Sequence, residues 1–293
     1  MGATRHRGAR TESTAPPAVL LAGAVLLAAV GLSLVGTGAA SARQPPVLSY
    51  GADPLQTVEA WAAPGTDQPV VVIVHGGGFR SSAGDARKLA LQATQLSNAG
   101  FAVFDVNYRT DSASQPAFPD EVTDVVDGTE WAIAHAADYH GNPADVNLIG
   151  GSAGGTIAAD AAELLPGQVH AVVSLSGTND LATALAYWTQ TPGKTGKLHV
   201  KNITQALGCT AAACAAPAAA WSPATRVTSA DCPAHWLVLN ERSEEQPVPQ
   251  ADELTAALGA AGCTVTEDVM DGTQHAYDYW SKAFPAIVST LRS

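Results

Sequence analysis

Basic residues are scarce: 15 Lys and Arg stand against 27 Asp and Glu in 293 residues, a formal net charge of −12. Nucleic-acid binding draws on clustered Lys and Arg that displace counterions from phosphate, so this balance argues against a nucleic-acid partner. Cysteine is limited to positions 209, 214, 232 and 263, and no C-x-x-C or His-x-x-x-His spacing accompanies those thiols. A zinc site is therefore not expected, and no other metal or cofactor motif stands out. The glycine run at 76–78 continues as Phe79-Arg80-Ser81 and lacks the Gly-Lys-Ser or Gly-Lys-Thr that would end a Walker loop. No internal repeat is present.

The N-terminus does not read as part of a globular domain. Arg5, Arg7 and Arg10 give a basic start, Ala18 to Val35 is an apolar run, and Ala40-Ser41-Ala42 fits a small-x-small cleavage site. Residues 1–42 are expected to be an export signal, with the mature chain starting at Arg43 and carrying no stable membrane association after cleavage. The competing expectation is a retained anchor, since the run lies at the lower edge of the roughly 17–25 residues that span a bilayer. Removing three Arg and one Glu with that segment takes the net charge from −12 to −14. With 46% apolar residues, the remaining 43–293 suits one large α/β domain. Four cysteines in a secreted chain point to disulfides, and they allow three pairings. Cys209 and Cys214 share one short loop while Cys232 and Cys263 each precede a predicted strand, which favours 209–214 with 232–263.

Hydrophobic periodicity sets out an alternating order of elements. Val70 to Val74 reads as a strand covered on both faces and stops at His75-Gly76-Gly77-Gly78. A helix over 86–99, a strand over 101–106, a helix over 119–140, a strand over 146–150 and a helix over 154–165 follow. Strands at 171–176, 236–240 and 265–270 and helices at 249–261 and 277–291 complete the series, with an irregular insertion over 181–226 that holds Tyr187, Trp188 and the first two cysteines. This alternation predicts a mostly parallel sheet with helices on both faces.

Three segments carry chemistry. Gly150-Gly151-Ser152-Ala153-Gly154-Gly155 contains G-x-S-x-G on a strand-to-helix turn, where a serine hydroxyl stands proud of the sheet at a helix N-terminus. His75-Gly76-Gly77-Gly78-Phe79 follows a strand upstream, and its glycines let backbone N–H groups approach a substrate carbonyl. His75 itself reads as a structural residue of that loop. Asp271-Gly272-Thr273-Gln274-His275-Ala276 follows the last strand, and His275 is the candidate base that would take the serine proton. Of the other histidines, His6 belongs to the export segment, and His135, His140 and His170 lie beside elements running away from the strand ends. His199 sits in the insertion and His235 opens a strand. Only His275 falls where an open α/β sheet gathers its functional loops.

These residues, with Asn107-Tyr108-Arg109 and Phe118-Pro119 before Asp124, resemble the esterase and lipase group of α/β-hydrolases related to hormone-sensitive lipase and to bacterial feruloyl and acetyl esterases. The resemblance covers nearly the whole mature chain. It implies the α/β-hydrolase fold, Ser152 as nucleophile, His275 as base, and the amides of Gly77, Gly78 and Ala153 as oxyanion donors, with Tyr108, Arg109 and Asp124 structural. Related esterases show Asn-Ser-x-x-Glu-x-x-Pro-x-x-Gln, and Asn240, Glu244, Pro247 and Gln250 match that spacing, with Glu241 in place of Ser. Glu244 is thus the expected triad acid, and Glu245 the alternative. From Arg43 to Val74 there is room for little more than a leading hairpin, so the N-terminal helical cap of hormone-sensitive-lipase relatives is expected to be absent and the site open and shallow.

The expected activity is hydrolysis of short-acyl or polysaccharide-linked carboxylic esters through an acyl-serine, on a small-molecule or polysaccharide substrate. A serine peptidase of the prolyl-peptidase type and a non-catalytic binding protein with the same fold are the alternatives.

Overall fold

The computed structural model describes residues 45–80, 89–111, 115–229, 232–233 and 235–293. The expected export segment 1–42 and its cleavage point before Arg43 lie outside the described residues, as does the start of the helix expected over 86–99. The chain opens with β1 (Val47–Ser49) and β2 (Thr57–Trp61), the antiparallel hairpin that the short leading stretch predicts. Then come β3 (Gln68–Val74), α1 (Ala90–Asn98), β4 (Ala102–Asn107), α2 (Asp120–His135), β5 (Gly141–Gly151), α3 (Ala153–Glu163) and β6 (Ala171–Leu175). Four helices follow: α4 (Leu181–Gln190), α5 (Gly193–Ala206), α6 (Ala215–Ala220) and α7 (Pro223–Arg226). The series ends with β7 (His235–Glu241), α8 (Pro249–Ala261), β8 (Val265–Met270) and α9 (Trp280–Thr290).

Among the described residues eight strands form one sheet in the order β1-β2-β4-β3-β5-β6-β7-β8. The hairpin joins antiparallel through β2 and β4, and every pairing from β4 to β8 is parallel. Side chains alternate across the central strand as its pleat requires. Val70, Val72 and Val74 belong to the core cluster that also holds Val122 of α2, Ile157 of α3 and Leu254 of α8. Val71 and Ile73 face the other way, into the cluster that holds Leu96 of α1 and Ile287 of α9. Both faces are therefore covered, which explains why β3 is a continuous run of β-branched residues with no polar alternation.

The structure corrects two expectations. The helix expected over 119–140 stops at His135 and continues as a 3-10 turn, Ala136–Tyr139, ending at His140 with φ 64°. The insertion 181–226 is not irregular but helical throughout much of its length. Asp180 caps α4 by accepting from the backbone N–H groups of Ala182 and Thr183, and Leu181, Ala184, Leu185 and Trp188 make its buried stripe at helical spacing. Gln250 of α8 fastens this start, accepting from the Asp180 N–H and donating to Thr183. At the far end of α5, the carbonyl of Ala206 accepts from the N–H groups of Ala117 and Phe118, so the pair α4 and α5 is moored at both ends.

Disulfides join Cys209 to Cys214 and Cys232 to Cys263, the expected pairing. The first closes the turn between α5 and α6, and the second ties the segment before β7 to the segment before β8. No helix among the described residues is long and apolar enough to cross a membrane.

Candidate active site

Ser152 occupies the turn between β5 and α3 at φ 57° and ψ −128°, a conformation that side-chain-bearing residues rarely adopt. Crowding explains the flanking glycines. A Cβ at Gly150 would run into the carbonyl of Gly154, and one at Gly154 into the carbonyls of Val74 and His75. Main-chain contact holds the turn in place, since the Ser152 N–H donates to the Leu175 carbonyl at 2.8 Å.

Across a cavity of about 330 Å³ from this turn stands His275, and Ser152, Ala153, Gly77 and Gly78 share its lining. The imidazole Nδ1 meets Glu244 Oε2 at 2.5 Å, with the Glu244 side chain wholly withdrawn from solvent. Glu244 is itself held: its Oε1 accepts from the Ser176 hydroxyl at 2.7 Å and from the Glu241 N–H at 2.8 Å. The Ser176 oxygen in turn accepts from the Ala276 N–H at 3.0 Å, so one hydroxyl links the carboxylate to the residue after the histidine. Burial pulls the His275 pKa down, but the hydrogen bond and charge of Glu244, with Glu245 and Asp278 behind them, outweigh it and leave the pKa above its ordinary value of 6.5.

Glu245 goes elsewhere. Its Oε1 lies 2.7 Å from His199 Nε2, nearly half of its side chain is exposed, and that contact lowers its pKa. Of the two expected acids, Glu244 is the one placed on His275. Glu241, where relatives show Ser, is buried and accepts from the Gln274 N–H at 2.7 Å and from Lys282 at 3.0 Å, anchoring the loop that presents His275.

His75 is a structural neighbour of the glycine loop: Nδ1 contacts the Gly76 carbonyl at 2.7 Å, Nε2 contacts Asn107 Oδ1 at 3.0 Å, and the ring stacks on Tyr108. Arg109 forks onto Asp124 and reaches Asp120, fixing the start of α2 below that loop. Three participants had been passed over in the sequence. His199 and Asn202, both on α5, line the cavity, and Ser176 supports Glu244 from behind. To the site expected to be open and shallow, α5 of the insertion contributes one wall. Trp188 stays out of the cavity and stacks on His199, with ring centroids 3.9 Å apart. Among the described residues no group of three or more His, Cys, Asp or Glu could hold a metal ion.

Residues 61–258 match the family model described as BD-FAE, which is more than half of the chain. The chain belongs to the BD-FAE family. BD-FAE membership accords with the glycine loop, the serine turn and β7, all of which fall inside the matched stretch. A versiconal hemiacetal acetate esterase from Dothistroma septosporum is 29% identical over 126 residues, 43% of this chain and 38% of that protein. The chain thus spans well under half the length of that relative. Among solved structures, esterase B from Lactobacillus Rhamnosis aligns with a TM-score of 0.69 at 17% identity, covering 85% of this chain and 86% of that one. A truncated carbohydrate esterase from gut microbiota aligns with a TM-score of 0.68 at 18% identity, covering 85% and 98%. At such identities the likeness concerns the fold, which is that of the α/β-hydrolases.

Proposed function

We propose that this chain is an exported serine hydrolase acting on carboxylic esters. One observation carries the reading: a serine in a strained turn shares a cavity with a histidine whose Nδ1 is engaged by a buried carboxylate. In this mechanism Ser152 Oγ attacks the ester carbonyl as His275 Nε2 takes its proton. Glu244 holds the imidazole in the tautomer that leaves Nε2 free to accept and stabilises the imidazolium that forms. The backbone N–H groups of Gly77, Gly78 and Ala153 receive the oxyanion, each donor contributing roughly 3–4 kcal/mol of transition-state stabilisation. His275 then passes its proton to the departing alcohol, and water regenerates the serine by the reverse sequence. No cofactor enters this scheme.

A cavity of about 330 Å³ walled by α5 favours a short acyl group over a long lipid chain. Polar side chains along it, Thr178, His199, Asn202 and Gln246 among them, favour a hydroxylated alcohol portion such as a polysaccharide. The similarity to esterases supports the ester bond as the target, and the two disulfides support an oxidising, extracellular location. A series of model esters of increasing acyl length, run beside an acetylated polysaccharide and an amide, tests the reading. Turnover should be greatest on the short esters; cleavage of the amide alone would contradict it.

A further inference from the structure

The inserted helices that wall the site are charged opposite to the rest of the chain. From Leu181 to Arg226 there is no Asp or Glu, although the chain holds 27, and this stretch carries three of its five lysines. Arg226 is spent on the body of the fold, paired with Asp160 and Glu163. Lys194, Lys197 and Lys201 are not: all three are exposed, and among the described residues no carboxylate pairs with them. Spacings of three and four residues place them on one face of α5, along about 10 Å of helix at 1.5 Å per residue.

That face borders a second cavity, a groove of about 560 Å³ lined by Lys197, Val200, Lys201 and Thr204 of α5 and by Trp188 and Pro192. The opposite flank of the same helix gives Leu198, His199 and Asn202 to the cavity of Ser152. The stacked pair Trp188 and His199 stands between the two, Trp188 lining the groove and His199 the cavity. Tyr187, exposed and edge-on to Trp188, and Leu198, exposed on the lining of the cavity, offer apolar surface to sugar rings.

Exposed ammonium groups hold a single anion weakly, because each pair forms in the high dielectric of water, orders a long side chain and is screened by salt. A row of them acts together only on a ligand that presents several negative charges at once. The helical pitch of about 5.4 Å is close to the repeat of one pyranose in an extended chain. We propose that the lysine face of α5 and its groove bind a carboxylate-bearing polysaccharide, a polymer of or containing uronic acids, and hold it so that an ester it carries reaches Ser152. The second half of this statement rests on the hydrolase reading above; the binding half does not.

Two measurements separate them. Affinity for a de-esterified polyuronate and for a neutral polysaccharide, read by affinity electrophoresis at low and high salt, addresses the groove. Hydrolysis of the acetylated forms of both polymers and of a small model ester addresses the reaction. The intact protein should bind the polyuronate more tightly than the neutral polymer and lose that advantage at high salt. The double variant Lys197→Gln/Lys201→Gln should weaken polyuronate binding, and raise KM for its acetylated form, by about three- to tenfold. Turnover of the small ester should be unchanged, and Lys197→Arg/Lys201→Arg should retain the affinity. Equal binding of acidic and neutral polymers, no loss in the Gln variant, or tighter binding to anionic-lipid vesicles than to polyuronate would overturn the proposal. Failure of the small ester to turn over would sink the hydrolase reading alone, with the binding comparison still deciding the groove.

Discussion

The imidazole of His275 sits under two opposed influences, burial favouring the neutral form and the carboxylate on Nδ1 favouring the charged one, and the carboxylate prevails. The sign has a kinetic consequence. A base must be neutral to accept the serine proton, so kcat/KM should fall as pH drops through a value above the ordinary 6.5. In Glu244→Gln burial is left less opposed, and the acid limb should move to lower pH while turnover drops on the order of 10³- to 10⁴-fold. Glu245→Gln, whose partner is His199, should leave turnover within a few-fold of wild type. A pH series of kcat/KM on the three proteins checks this, and the reverse order of losses would transfer the role to Glu245.

At this scale the sequence was informative where a residue's type is dictated by the backbone. Gly150 and Gly154 are legible because no side chain fits between strand and helix, and His275 because of its place after the last strand. Glu244 required the spacing to Pro247 and Gln250, since two adjacent carboxylates look alike until the loop turns one inward and the other towards α5. His199 and Ser176 were missed for a different reason. Each reaches the site through packing between elements distant in sequence, Ser176 meeting Glu244 across 68 positions.

Among the elements, the glycine loop and the inserted helices meet at one point. Gly78 has φ +65°, and a Cβ there would lie 2.8 Å from the Asn202 amide nitrogen of α5. Gly78→Ala should therefore tilt the loop amides and lower kcat by about 10- to 100-fold with a smaller change in KM, as expected of an interaction formed chiefly in the transition state. An unchanged kcat would remove the oxyanion assignment. Helix α8 and strand β8 were legible to the residue, α8 from the spacing of its buried Ala251, Leu254 and Leu258 and β8 from the alternation of half-buried and exposed positions along an edge strand. The inserted helices were not, although α4 carries a capping Asp180 and a regular apolar spacing. Their Gly, Ala and Pro content, including Gly196 inside α5 and Pro217 inside α6, masks the pattern by which an amphipathic helix is recognised. One disulfide lies inside this region, between α5 and α6, and one follows it. Opening the Cys232–Cys263 bridge, with its sequence separation of 31, releases a loop that the chain-entropy model values at about 3–4 kcal/mol. Reduction should lower Tm by several degrees in calorimetry, and an unchanged Tm would show that the bridge contributes little.

For the molecule as a whole, charge is segregated, with an acidic body under a carboxylate-free cap. High net charge favours solubility, and on the proposal above the local reversal of sign would concentrate a polyanion beside Ser152. The export reading belongs to this scale too: the protein recovered outside the cell should begin at Arg43 by N-terminal sequencing, and recovery of the unprocessed chain would contradict cleavage. The central claim is that Ser152 is an activated nucleophile and not merely a residue in a strained turn. Intact-mass measurement after exposure to a fluorophosphonate tests it directly. The account predicts one adduct per chain, mapped to Ser152 by peptide sequencing, and none in a folded Ser152→Ala variant or after protonation of His275 at low pH. An unlabelled wild-type protein, or an adduct that persists in Ser152→Ala, would contradict it.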